Sequence, residues 1–240
     1  MNATQPLHSP AVALRTFDTS EALAAALARR VAAALAERLQ TSPRAVLAVS
    51  GGSTPVRFFE ALSEQKIDWS AVDITLVDER WVDELSQRSN ARLVRNCLMR
   101  GGAATARFIP LTSPSPTPEG GIDEVAARID ALSLPLAVVV LGMGEDGHTA
   151  SFFPKSDRLY EALNPSTERK VAVIRAPGAV EPRVTLTFPV LRSADLILLH
   201  IEGEAKMRAL CAAEEQGPVE DMPIRAFLRG DRPLETFWRA

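Results

Sequence analysis

The chain has 240 residues, 46% of them hydrophobic, and 27 Lys plus Arg against 30 Asp plus Glu, for a formal net charge of −3. That length is enough to bury a full core as one large domain or two small ones. The mixed, slightly acidic charge implies no basic face for nucleic acid. The two cysteines, Cys97 and Cys211, have no C-x-x-C spacing, so they suggest neither a zinc site nor a disulfide framework; they read as small packed thiols in a reducing compartment.

The first stretch, MNATQPLHSP, lacks the charged and apolar regions of a signal peptide. Residues 1–14 read as an N-terminal tail carrying His8. Residues 20–40, SEALAAALARRVAAALAERLQ, place Leu23, Leu27, Val31, Leu35 and Leu39 at four-residue spacing, which predicts one helix with an apolar stripe. RAVLAVS (44–50), VDITLVD (72–78) and LPLAVVVLG (134–142) read as buried strands, and KVAVIRA, RVTLTF and ADLILLHI continue the series to residue 201. Helical patterns lie between them at 55–65, about 87–100, about 119–132 and about 203–216. The run TSPSPTPEGG (112–121) is a loop, read as a surface feature rather than a hinge between lobes. Continuous apolar strands alternating with amphipathic helices predict a single α/β domain over 1–240. Its sheet is mostly parallel and twisted, flanked by helices on both faces, and Rossmann-like. The longest apolar run, Leu134 to Leu141, is too short to span a bilayer, so a soluble cytoplasmic protein is expected.

Ligands of open α/β sheets bind where strands end and helices begin. Three motifs fall there: SGGSTP (50–55), DER (78–80) and GMGEDGH (142–148). SGGSTP (50–55) passes from strand to helix through two glycines. Thr54 fits an N-cap and Pro55 a first helical position. Gly51 and Gly52 allow close backbone approach, and with the Ser53 and Thr54 hydroxyls at a helix N-terminus they suit a phosphate. The bland alternative is a tight turn whose Ser and Thr merely cap the helix. No G-x-x-x-x-G-K-[ST] is present, which excludes a P-loop nucleotidase. Reading AVSGG as a degraded nucleophile elbow, with Ser50 as nucleophile, is a minor alternative.

LGMGEDGHTASFFP (141–154) contains G-x-G-x-x-G at Gly142, Gly144 and Gly147. A dinucleotide site would need a long helix next and an acidic residue at the end of the following strand. Pro154 comes too early, and Glu168 precedes that strand instead of ending it. The glycines read better as a tight loop that exposes its own amides and projects His148 over the sheet edge. A lone loop histidine is more often structural. Here His148 follows Glu145 and Asp146 and faces a phosphate-type turn, which favours a catalytic reading. His200 ends an apolar strand and stays a minor candidate.

With SGGSTP, VDERWV (77–82), SNARLVRNCL (89–98), LGMGEDGHTASFFP, RVTLTFPVL (183–191) and GEAK (203–206) in this order, the chain resembles the bacterial cytosolic 6-phosphogluconolactonases from about residue 15 onward. Their fold is related to that of the glucosamine-6-phosphate deaminases. The resemblance implies hydrolysis of 6-phospho-D-glucono-1,5-lactone with no cofactor and no metal. The partner is a small sugar-phosphate lactone, with no nucleic acid, membrane or obligate protein partner. It implies His148 as general base, oriented by Asp146. Gly142–Gly147 amides, Gly144 and Gly147 among them, would hold the oxyanion. Gly51, Gly52, Ser53 and Thr54 would hold the phosphate, with Arg80, Arg183 and Lys206 as its charged partners. Asp78 and Glu79 would brace Arg80, and Asn90 would either meet a sugar hydroxyl or cap the helix it precedes. Phe153 stands where the deaminases carry a catalytic Glu, which favours the lactonase over a deaminase-like isomerase. His148 beside Asp146 disfavours a non-catalytic sugar-phosphate sensor. The chain departs from the family pattern at SFFP (151–154), usually SLFP, and at VDELSQR (82–88), where relatives carry prolines.

Overall fold

The computed structural model describes residues 11–230 and 232–240; His8 lies outside them. Ten strands and eight α-helices follow in order. They are β1 (Val12–Thr16), α1 (Ser20–Thr41), β2 (Ala45–Val49), α2 (Val56–Ser63), β3 (Val72–Leu76), β4 (Asp78–Arg80), α3 (Asn90–Cys97), β5 (Arg107–Ile109) and α4 (Pro118–Asp130). Then come β6 (Val138–Leu141), α5 (Leu159–Leu163), β7 (Val171–Ile174), β8 (Arg183–Leu186), α6 (Phe188–Arg192), β9 (Leu196–Glu202), α7 (Glu204–Glu214), α8 (Arg225–Leu228) and β10 (Leu234–Arg239).

Seven strands form an all-parallel sheet in the order β1-β10-β9-β6-β2-β3-β5. The central strands β2, β3 and β6 are buried along their whole length, which is why their sequences run apolar without alternation. The chain moves one way across the sheet from β1 through β2 and β3 to β5, and the other way from β6 through β9 to β10. Right-handed crossovers therefore put α1–α3 on one face and the later helices on the other. In α1, Thr19 caps by accepting from the Ala22 amide, and Leu23, Leu27, Val31 and Leu35 are fully buried. Leu39, the last residue of the expected stripe, is only partly covered.

The structure corrects the sequence reading in three places. Residues 12–14, assigned to a tail, belong to edge strand β1, which pairs with β10. Strand β5 is too short to show a period, and β10 was not anticipated. Most consequentially, VDITLVD is not one strand. The Val77 amide donates to Val49 O, still in the parallel sheet, while Val77 O accepts from the Leu186 amide of β8. Beyond that residue the chain joins a separate antiparallel sheet, β4-β8-β7. The segments DER, RVTLTF and KVAVIRA form this roof rather than extending the parallel sheet.

Asp73, fully buried at the start of β3, receives both Arg44, just before β2, and Arg107 of β5. Burial alone would raise its pKa. The hydrogen bonds and charges of the two arginines outweigh it, so the carboxyl titrates below its ordinary 3.8. A depressed carboxyl contributes stability above its unfolded pKa and loses it as pH falls through the folded value. Asp73→Asn is therefore expected to destabilise the fold by about 1–3 kcal/mol at neutral pH. The deficit should shrink below about pH 4, measured by urea unfolding at both pH values.

Candidate active site

Strands β2 and β6 are neighbours, and the chain leaves them in opposite directions across the sheet. That topological switch point opens a crevice beyond the strand ends. The loops that follow these two strands, 50–55 and 142–148, are the two the sequence marked. Together with β4, β8 and the end of β9 they line one cleft of about 250 Å³.

On the β6 side, the imidazole of His148 lies against Gly144, where any Cβ would come within 2.2 Å of His148 Cε1. His148 Nδ1 and Asp146 Oδ1 are 2.5 Å apart, and the same carboxylate accepts from the His148 amide. The hydrogen bond from His148 is the largest influence on Asp146 and lowers its pKa. An ionised Asp146 accepts a hydrogen bond from Nδ1–H, which selects the tautomer that leaves Nε2 with its lone pair. Beyond the loop, Thr149 Oγ1 donates to Gly142 O, Ser151 Oγ donates to Asp78 Oδ2 at 2.6 Å, and Phe152 is fully buried.

On the β2 side, Gly52 has φ +94, a left-handed conformation that glycine adopts without strain. Gly51 faces Asn90 so closely that a Cβ would lie 2.0 Å from Asn90 Oδ1. Helix α2 starts one residue later than expected, and no side chain caps it. Thr54 is thus not an N-cap. Its Oγ1 accepts from Lys206 Nζ at 3.3 Å. The cap role also goes elsewhere at α3, where Ser89 accepts from the Arg92 amide. Asn90 instead donates from Nδ2 to Asp78 O.

The roof supplies two cations. Arg80 and Arg183 are direct partners in the antiparallel β4–β8 pair. Like charges opposite one another in a sheet are destabilising. Neither Arg80 Nε nor Arg183 Nε, both buried, has a hydrogen-bond partner. Burial is the largest influence on Arg183 and lowers its pKa, with Asp78 opposing it; Asp78 Oδ2 stays 3.6 Å from Nη1. Arg80 Nη1 donates to Arg88 O. Lys206, at the start of α7, is likewise lowered chiefly by burial, with Glu202 and Glu145 opposing. Arg80, Arg183 and Lys206 thus line one cleft, and among the described residues Asp78, 3.6 Å from Arg183, is the one carboxylate that pairs with any of them. Glu79, expected beside Arg80, is buried and accepts from the amides of Arg80, Asn90 and Ala91 and from Ser89 Oγ. Burial is the main cause raising its pKa. It braces the backbone of β4 against the start of α3.

A family model described as glucosamine-6-phosphate isomerases/6-phosphogluconolactonase matches residues 18–238. The chain belongs to this family. It is 50% identical to the 6-phosphogluconolactonase of Rhizobium meliloti, covering 94% of this chain and 97% of that one. It is 44% identical to that of Pseudomonas aeruginosa, covering 98% and 99%. A crystal structure of a 6-phosphogluconolactonase from Shewanella baltica superposes with a TM-score of 0.92 at 41% identity, covering 95% of this chain and 98% of that one. A monomeric glucosamine-6-phosphate deaminase shares the fold at TM-score 0.75 and 17% identity.

The cleft of this family member is lined by Gly51, Gly52, Ser53, Thr54, Asp78, Arg80, Asn90, Gly144, His148, Arg183 and Lys206. Asp146 stands behind His148. Gly147 is the exception. It is buried with φ +76, its O accepts from the Ile224 amide, and a Cβ would press on Met222. It seats the loop on the segment before α8 and does not line the cleft. Two of the expected oxyanion amides are occupied, because the Gly144 amide donates to His148 O and the Gly147 amide to Gly144 O. Ser50 lines the cleft, but among the described residues no hydrogen bond joins its hydroxyl to His148. Among the described residues no group of three or more His, Cys, Asp or Glu side chains gathers as a metal site, and no helix is long and apolar enough to cross a membrane.

The sequence underrated His200. It is buried, lines the cleft, and meets Glu202 Oε1 through Nε2 at 3.3 Å. Glu202 Oε2 accepts from Ser20 Oγ, and Arg239 lies beside it. Alternate residues of a strand share a face, so the 200/202 spacing signalled this pair. The hydrogen bond from His200, followed by that from Ser20, draws Glu202 down from 4.5 to about 2. Its stabilising effect is present above the unfolded value and lost as pH falls towards 2. Glu202→Gln is expected to lower the melting temperature at pH 7, with the gap narrowed at pH 3 and nearly closed at pH 2, measured by thermal unfolding at the three pH values.

Proposed function

We propose that this chain hydrolyses 6-phospho-D-glucono-1,5-lactone to 6-phospho-D-gluconate, the activity carried in the names of its relatives. One observation carries the reading. A histidine with Nδ1 committed to a carboxylate shares a single cleft with a phosphate-type turn and three under-neutralised cations. One end of that cleft suits a base and the other a dianion. The substrate offers an electrophilic carbonyl and a phosphate, separated by the length of one sugar ring.

In this reading the phosphate lies on Gly52, Ser53 and Thr54, with Arg80, Arg183 and Lys206 around it. Guanidinium groups suit phosphate oxygens bidentately. An anion also relieves the repulsion between Arg80 and Arg183. Asn90 and Asp78 face the ring hydroxyls. His148 Nε2 takes a proton from water as its oxygen bonds to C1. The tetrahedral oxyanion collapses, the C1–O5 bond breaks, and the imidazolium returns its proton to O5. The free acid then ionises, releasing one proton per turnover.

Phe153 gives the deaminase reading no support, since a phenyl ring moves no protons. A phosphorylated substrate is retained where it is made, which fits action in the cytoplasm.

His148→Ala is expected to lower the enzymatic rate about 10²–10⁴-fold with the melting temperature kept, read as acid release above a buffer blank. A rate equal to the parent's ends the base assignment. Arg80→Ala is expected to narrow the preference for the phosphorylated over the unphosphorylated lactone by about 10–100-fold. An unchanged ratio of kcat/KM values removes Arg80 from the phosphate end.

A further inference from the structure

One aromatic ring touches both halves of this machinery. The Phe153 ring centroid lies 4.3 Å from that of His148, with 31° between the planes. The Arg183 guanidinium carbon stands over the same phenyl ring at 5.2 Å. We propose that Phe153 is a positioning residue, whose ring holds the imidazole of His148 and the guanidinium of Arg183 in one fixed relation. The proposal rests on the reading of His148 as base and Arg183 as substrate-binding.

Each partner is otherwise under-restrained. His148 sits on a glycine-rich loop, and among the described residues its only ring hydrogen bond is to Asp146. A single bond at Nδ1 leaves the ring free to tilt about that contact. Gly144 bounds the imidazole on one side, and the phenyl ring bounds it again. Arg183 has less still. Its buried Nε has no hydrogen-bond partner, and Asp78 is beyond hydrogen-bonding distance of Nη1. A cation over an aromatic face is held without being neutralised. A carboxylate in that place would hold the arginine more tightly but cancel the charge that a phosphate needs.

Phe153 is itself well placed to impose a geometry. Phe152 before it is fully buried. The Phe153 amide donates to Ser151 O, and Phe153 O accepts from the Ser156 amide. Ser151 bonds Asp78, the carboxylate nearest Arg183. The ring is thus carried on a short turn anchored to the core on one side and to β4 on the other.

The test compares Phe153→Leu and Phe153→Tyr with His148→Ala, Arg183→Ala and the two double variants, in steady-state hydrolysis of the phosphorylated lactone. Phe153→Leu is expected to lower kcat about tenfold and raise KM several-fold, about the loss that follows when a base and a clamp are each displaced slightly. Phe153→Tyr restores both. Phe153→Leu adds nothing to the kcat loss of His148→Ala and nothing to the KM rise of Arg183→Ala. If Phe153→Leu does not fold, Phe153→Met, also ringless, gives the same reading. Parental kcat and KM in a folded ringless variant overturn the proposal, as do losses that simply add in the doubles. Parental activity in His148→Ala overturns the base assignment itself, a distinct result.

Discussion

The site depends on one residue whose backbone belongs to two sheets. Val77 donates to Val49 in the parallel sheet and accepts from Leu186 in the antiparallel one. A parallel sheet alone presents loops along one edge and an open crevice above them. Because the chain turns out of that sheet at Val77, the next three residues are laid across the strand ends instead of continuing past them. Asp78, Glu79 and Arg80 become the underside of a roof, and antiparallel pairing brings Arg183 directly opposite Arg80. Floor and roof are fixed by the same residue, so the separation of the His148 loop from Arg80 and Arg183 is set largely by backbone hydrogen bonds.

This arrangement is costly when the cleft holds no anion. Two arginines face each other across a strand pair, each with a buried guanidinium nitrogen unpaired, and a lysine nearby is more than half withdrawn from water. Glu79 could have neutralised Arg80 but is turned inward to the start of α3, where it satisfies four donors. The carboxylate is spent on architecture and the charge of the arginine is left for the ligand. The same division recurs at His148, where Asp146 holds one ring nitrogen and leaves the other exposed to the cleft. The cleft is lined by incompletely paired groups, supported by paired groups one layer behind.

Much of this was legible in the sequence. The β2, β3 and β6 strands announced themselves as unbroken apolar runs, and the motifs at their ends do converge at the switch point. His148 and the 51–54 turn, picked out in the sequence, line the same cleft, and Asp146 bonds His148. What escaped was non-local. VDITLVDER has no residue that marks Val77 as a seam, because the break is imposed by pairing with a strand about a hundred positions later. Gly147 looked like its neighbours Gly142 and Gly144, yet it serves a contact with Met222 that no local pattern encodes. Thr54 has the composition of a cap, and only the approach of Lys206 reveals its other use. The 200/202 pair was visible as a two-residue period but was hidden by the apolar strand around it.

The stretch from Gly203 to Ile224 touches the floor twice. Near its start Lys206 reaches Thr54, and at its end the Ile224 amide holds Gly147 O. It acts as a strap across both loops, so a length change within it would disturb the anion turn and the histidine loop together. The roof loops at 82–88 and 176–182 are joined instead to each other, through Arg88 and Glu181, and reach the cleft chiefly through the Arg88 carbonyl. A length change in these roof loops would therefore leave both floor contacts in place.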